Sequence, residues 1–184
     1  MSPSDVPSRV WQALTRAPHD RHHEWRTPVL STQGLNNSGP QARTVVLRHA
    51  DAQRWQLQVF TDARSPKCAE LAAQPLAQLT FWSKRLQWQL RVAAHATVLR
   101  EGAVVDAAWQ RVAQSRAAAD YTSALAPGSL LGQAGSGAAV GGLPTHQLAV
   151  VVFDVTGLDW LALGKEGHQR ARLSPGGGVQ WLVP

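Results

Sequence analysis

From Trp88 to Val98 every second residue is apolar (Trp88, Leu90, Val92, Ala94, Ala96, Val98), and Gln87, Gln89, Arg91 and His95 fall between them. Side chains alternate across a β-strand, so a stretch of this length belongs in a sheet with one face on a core and a polar face left for solvent, a ligand or a second subunit. Such a strand needs paired neighbours. Trp55, Leu57 and Val59 alternate with Gln56, Gln58 and Phe60, and Leu79 and Phe81 continue the period. Residues 28–32 and 42–48 flank the turn-rich 34–40 and predict a hairpin. Four further short strands are expected at 148–155, 158–163, 168–173 and 179–183, punctuated by Gly164-Lys165-Glu166-Gly167 and Ser174-Pro175-Gly176-Gly177-Gly178. Many short strands with few helices predict a mainly β chain closed into a barrel. At 184 residues the expectation is one domain over 1–184.

Helical spacing is confined to a few places. Val10, Trp11 and Leu14 open an N-terminal helix, and with the polar loop that follows it fills 1–26. That loop holds His19, His22, His23 and Glu24, yet no second cluster with metal-ligand spacing occurs elsewhere, so no metal is expected. Val105, Ala108, Trp109 and Val112 mark a core-facing helix. Residues 130–146 are rich in Gly, Ala and Ser and predict a flexible loop. It lacks the Lys-Ser/Thr ending and strand-to-helix context of a phosphate loop.

The net charge of +6 raises the question of nucleic acid. The arginines, however, are dispersed in ones and twos, often inside apolar strands, with no basic run. Small anionic molecules match that distribution better, and neither nucleic acid nor a membrane is expected as partner, since no segment has the length of a membrane helix. The one cysteine, Cys68, cannot form an internal disulfide, and no leader-like run is evident, which points to the cytoplasm. Its place in a first helical turn would favour a thiolate, but a lone cysteine is more often a small buried apolar residue, and it is assigned no catalytic role.

The segment 60–67 is chemically the most specific. An extended stretch ending in Phe60-Thr61 runs into Arg64, then Ser65 at a helix N-cap, Pro66 at the first helical position and Lys67 beside it. Helix starts leave N–H groups unpaired and carry partial positive charge, and two cations here add to an anion trap. The helix it opens, 68–74, stops before Pro75. By itself this pattern also fits an ordinary capped helix.

Taken in order, Arg43-Thr44-Val45-Val46-Leu47-Arg48, Phe60-Thr61, Ser65-Pro66-Lys67, Gln89 before Leu90-Arg91-Val92, and Trp160 resemble the pyridoxamine 5′-phosphate oxidase-like family of FMN-binding split barrels. The matching order runs from about Thr27 to Pro184. The resemblance implies an FMN phosphate held by Arg43, Ser65 and Lys67, with Thr44, Val45 and Val46 in the same cofactor-binding strand. Arg48 would lie nearer the ring or the substrate, and Phe60, Thr61 and Gln89 would approach the ribityl chain or ring edge. It also implies a homodimer with FMN at the interface, to which Trp160 and Arg170 would contribute; a place in the core is the equal alternative for Trp160, since most of the eight tryptophans must be packed. Arg43 and Arg48 are an odd number of residues apart, so a regular strand would aim them at opposite faces. A twist, a bulge or a strand end at Arg48 to Asp51 would be needed to bring both to one ligand.

The family's best-known enzymes oxidise pyridoxine or pyridoxamine phosphate, gripping the substrate with a Tyr, an Arg and a Ser, and with a C-terminal Arg-Leu-His element. Here the first region reads Trp109 to Arg116 and the second His168-Gln169-Arg170-Ala171-Arg172. The departures fall on the substrate side, which leaves Arg48, Arg116 and His168 as candidate contacts to a small-molecule substrate. The expectation is an FMN-dependent oxidoreductase of unassigned substrate. A flavin-binding module without turnover is the alternative, and a single-stranded nucleic-acid-binding barrel is ranked last.

Overall fold

The computed structural model describes residues 5–130 and 146–184. The expected flexible segment 130–146 therefore lies outside the described residues, apart from its two ends.

Among the described residues nine strands form one antiparallel sheet: β1 (Val29–Gln33), β2 (Pro40–Thr44), β3 (Leu47–Asp51), β4 (Gln56–Asp62), β5 (Leu76–Ser83), β6 (Trp88–Leu99), β7 (Leu148–Ala162), β8 (Gln169–Leu173) and β9 (Val179–Leu182). The spatial order is β2-β1-β5-β6-β7-β4-β3, with β8 on β7 and β9 on β8. The sheet curls around its apolar face, but the pairing path has two ends, β2 and β3. The barrel is split, as the family resemblance implied, where strand count alone suggested a closed one. Helix α1 (Asp5–Arg16) packs against β3 and sends Val6, Val10, Trp11 and Leu14 into the same core as Leu30, Leu57, Leu79, Phe81, Leu90 and Trp160. Trp11 meets Trp55 edge-on at 5.3 Å, a favourable aromatic geometry.

Two strand boundaries differ from the sequence expectation. The strand expected over 42–48 breaks after Thr44, where the backbone N–H of Val45 bonds the carbonyl of Pro28, and a new strand starts at Leu47. The strands expected at 148–155 and 158–163 are one, β7. Its register against β6 slips between Ala93 and Ala94, whose partners are Gly157 and Val155, so Thr156 bulges out and its hydroxyl donates to the Ala93 carbonyl. A bulge absorbs the extra residue and bends the strand without ending it. Because β7 is so long, its first half pairs with β4 and its second half with β8.

Helix α2 (Pro66–Ala73) lies against β1 and β6. Helix α3 (Ala103–Val112) covers the other side of β7, where Val105, Ala108, Val112, Leu148, Val150 and Tyr121 form a second apolar cluster. Tyr121 ends a 3-10 turn, Arg116–Tyr121. No described helix is long and apolar enough to cross a membrane.

Candidate FMN site

Between β4 and α2 the chain makes the turn expected of an anion trap, with internal bonding that the sequence does not reveal. Asp62 accepts from the backbone N–H of Arg64 and pairs with its guanidinium at 2.7 Å, and that guanidinium also donates to the carbonyls of Ser123, Ala124 and Leu125. Arg64 is therefore a clamp between two loops, a correction to its expected role as a free charge for phosphate. Ser65 occupies the N-cap with extended backbone and Pro66 the first helical position, as expected. The Ser65 hydroxyl makes no capping bond; it accepts from Lys67 Nζ at 2.6 Å, and Thr61 Oγ1 accepts from the same ammonium at 3.0 Å.

Lys67 is half-buried, and its two bonding partners are neutral hydroxyls. Burial holds its pKa below the ordinary 10.5, and the nearby Arg43 cation pushes the same way. Arg43 arrives from β2, pairs with the buried Glu70 of α2 at 2.7 Å and donates to Thr32, which in turn donates to Glu70. Cys68, next in α2, donates its thiol to the Asp62 carbonyl, and burial raises its pKa. Burial outweighs the helix start here and disfavours a thiolate.

Arg48 occupies a separate place. It stands at the start of β3, not at its end, where the register against β4 slips between Leu47 and His49. Its guanidinium carbon lies 5.5 Å above the Phe60 ring, and its Nε is buried with no partner. The break after Thr44 puts Arg43 and Arg48 on different strands, β2 and β3, so the alternation of one regular strand does not govern them; Arg43 lies against Glu70 and Thr32, and Arg48 over Phe60. Thr44 is exposed, Val46 is half-exposed and Val45 belongs to the core.

The remaining site candidates lie elsewhere. Gln89, Leu161 and Arg170 form one row across β6, β7 and β8, whereas Thr61 pairs with Ala149, twelve residues earlier on β7. At about 3.3 Å per residue the two places are at most about 40 Å apart, along a strand that bends at its bulge between them. Arg170 is held by Asp159, whose carboxyl lies below its usual range because of that pair. Trp160 is fully buried, edge-on to Trp88 at 5.2 Å; the protomer's own core encloses it, which corrects its expected place at a subunit interface. Arg116 is exposed at the start of the 3-10 turn, and His168 is exposed before β8, accepting from the Gly164 N–H. The histidine loop is structural in part: Glu24 accepts from Ser83 and from the N–H groups of Lys84 and Arg85, and His23 Nδ1 from the Trp25 N–H. Among the described residues no group of His, Cys, Asp or Glu is arranged to hold a metal.

A helix start with a half-buried lysine bonded to two hydroxyls and a second cation nearby is an arrangement able to take a phosphate, and the unpartnered Arg48 Nε is a donor open to a ligand. These features fit an FMN. The family model for the pyridoxamine 5′-phosphate oxidase FMN-binding domain matches residues 8–100, and the chain belongs to that family. A pyridoxine/pyridoxamine 5′-phosphate oxidase of Thermosynechococcus vestitus is 39% identical over 84 residues, 46% of this chain and 37% of that protein, so the match spans little more than a third of the curated relative. A pyridoxamine 5′-phosphate oxidase-related, FMN-binding protein of Nostoc punctiforme superposes with TM-score 0.76 at 21% identity, covering all of both chains. PhzG of Burkholderia lata, solved with tetrahydrophenazine-1-carboxylic acid, gives 0.71 at 18%, covering all of this chain and 94% of its own. Both likenesses establish the split-barrel fold. FMN is the cofactor of the family to which the chain belongs.

Proposed function

We propose that this protein is an FMN-dependent oxidoreductase acting on a small anionic molecule as a homodimer. The observation that carries the reading is Lys67: a half-buried ammonium bonded only to Thr61 and Ser65 is an incomplete ion pair, and a phosphate at the α2 start completes it. Lys67, Ser65, Thr61 and Arg43 would hold the FMN phosphate, with Glu70 and Thr32 fixing the Arg43 guanidinium. When bound, the flavin supplies hydride-accepting or hydride-donating chemistry, and the protein supplies orientation and charge. Arg48 and Phe60 would stand on the ring and substrate side. Arg116 and His168 have no tie to this cluster and are proposed only as substrate contacts from the surface.

The twelve residues of β7 between the Thr61 and Gln89 rows favour a dimer. If Gln89 and Arg170 serve a flavin at all, it is the partner's, and the exposed outer face of β5 and β6, with Leu76, Trp82, Gln89 and Arg91, is the surface offered for pairing. Relatives named as pyridoxamine phosphate oxidase and PhzG make an oxidase the first activity to assay.

The test has two parts. Protein purified and denatured should release FMN, and an equal mixture of Lys67→Met and Gln89→Ala chains refolded together should regain about a quarter of the FMN sites, because about half of the dimers are then heterodimers with one intact site of two. Release of no flavin sinks the reading; flavin without turnover would leave a binding module. Absence of recovery in the mixture removes the shared site.

A further inference from the structure

The loop that holds His22 and His23, to which the flavin reading gives no part, walls a cleft between α1 and the turn joining β5 to β6. On α1 the lining residues are Arg9, Gln12, Ala13 and Arg16, spaced i, i+3, i+4 and i+7 and therefore on one helix face. That face lies beside the stripe that Val6, Val10 and Leu14 send into the core. The turn contributes Arg85 and Leu86, and Trp88, 7% exposed, lies at the base. The recess has a volume of about 230 Å³ and adjoins a second of about 450 Å³ that shares Arg16, His23, Arg85 and Leu86.

This cleft is separate from the flavin site. Trp88 and Gln89 are consecutive in β6 and project to opposite faces, so the cleft lies on the core side of the sheet, away from the outer face offered for pairing. Trp88 pairs with Ala162, at the end of β7 remote from Ala149, the partner of Thr61.

The cations of the cleft are held in place and its acids are occupied. The Arg9 guanidinium carbon lies 5.2 Å from the centre of the Trp88 ring, a cation–π contact. Arg16 pairs with Asp20 at 3.2 Å, and Asp20 also accepts from the His22 N–H. Glu24 accepts from the Ser83 hydroxyl and from the N–H groups of Lys84 and Arg85, which pins the turn carrying the exposed Arg85. His23 Nδ1 accepts from the Trp25 N–H, so the ring proton sits on Nε2 as a donor. Burial lowers the pKa of His23 below 6.5 and keeps the ring neutral at pH 7.

Across the two recesses three arginines therefore meet two carboxylates, which leaves one net positive charge beside an apolar base of Ala13, Leu86 and Trp88. A phosphate monoester carries about two negative charges and would shed strong hydration against that base. A carboxylate matches the charge, and its plane suits the paired N–H groups of a guanidinium. The smaller recess falls below the range of about 300–1,000 Å³ that holds drug-sized ligands, so the body of the ligand is one ring or a short chain.

We propose that this cleft is a second ligand site, distinct from that of the flavin, for a small organic carboxylate. Arg16 and Arg85 take the carboxylate, the His23 N–H adds a donor, and the apolar body rests on Leu86 and Trp88.

The experiment uses the full chain. Benzoate, neutral benzamide and inorganic phosphate are titrated by calorimetry at constant ionic strength. Benzoate should bind saturably, with benzamide and phosphate at least about tenfold weaker. Arg85→Gln should weaken benzoate by about tenfold or more, the scale of a charge-assisted hydrogen bond, while Arg100→Gln, at an exposed position outside the cleft, keeps the wild-type affinity. Lys67→Met should keep it too, and loss of benzoate binding in that variant would put the ligand in the FMN phosphate site and overturn the proposal. No saturable binding, equal affinity in Arg85→Gln, or tighter binding of phosphate would also overturn it.

A second measurement needs no variant. Phenylglyoxal labelling of arginines, mapped by mass spectrometry, should be slowed by benzoate at Arg16 and Arg85 and not at Arg100; uniform protection, or none, refutes the site. If the protein carries no FMN, the oxidoreductase reading fails, while both measurements still judge this cleft.

Discussion

Replacing Lys67 by Met keeps the aliphatic stem and removes the ammonium. The lost contact to a phosphate oxygen is a charge-assisted hydrogen bond worth about 1.5–3 kcal/mol, so the FMN dissociation constant should rise about 10- to 150-fold. The apo protein loses only bonds to two hydroxyls, Thr61 and Ser65, which keep other options at a half-buried place, so its melting temperature should hardly move. The assay is quenching of flavin fluorescence on titrating FMN into apo protein. The pH dependence follows from the depressed pKa of Lys67. With a folded pKa below 10.5, the folded state binds fewer protons than the unfolded chain between the two values, so burial of the charged form costs stability at lower pH and the cost is relieved as pH rises through the folded pKa. Phosphate stabilises the charged form, so FMN affinity should fall as pH climbs from that depressed pKa towards 10.5, and the fall should vanish in Lys67→Met. Equal affinity in wild type and variant, within twofold, would refute the argument.

Glu70→Gln breaks the ion pair with Arg43, whose side chain is 23% exposed; the partly screened loss should be about 1–2 kcal/mol, a drop of about 2–8 °C in thermal denaturation, and no drop would mean that the pair contributes nothing. Trp160→Ala empties a site in the core and should cost about 3–5 kcal/mol, lowering the melting temperature by about 6–20 °C, while Trp160→Phe should cost much less; an undisturbed Trp160→Ala would deny its place in the core. Arg64→Ala releases the carbonyls of Ser123, Ala124 and Leu125, so limited proteolysis should cut near 123–125 sooner than in wild type, and equal cleavage rates would exclude the clamp.

The alternation in β4, β5 and β6 and the Ser65-Pro66-Lys67 helix start were legible because each depends on neighbours in sequence. What escaped depends on neighbours in space. Nothing local says that Thr44 and Leu47 belong to different strands; the carbonyl of Pro28 decides it. The continuity of β7 through Gly157 is a property of the bulge opposite Ala93 and Ala94. Arg64 looked like a phosphate ligand because its competitors, Asp62 and the carbonyls of 123–125, meet it only in the fold. Glu70 follows Lys67 by three residues and could have been suspected as a partner for a nearby cation. Trp160 carried a family resemblance, yet its packing on Trp88 and Trp181 accounts for its presence.

The account rests on recognition of a phosphate by Lys67, Ser65, Thr61 and Arg43, and the most direct measurement compares FMN with riboflavin, which differs only by lacking that phosphate. Apo protein titrated with each at low ionic strength should bind FMN at least about 100-fold more tightly, the scale of two charge-assisted bonds, and the preference should shrink in Lys67→Met. Equal affinity for the two flavins would contradict it.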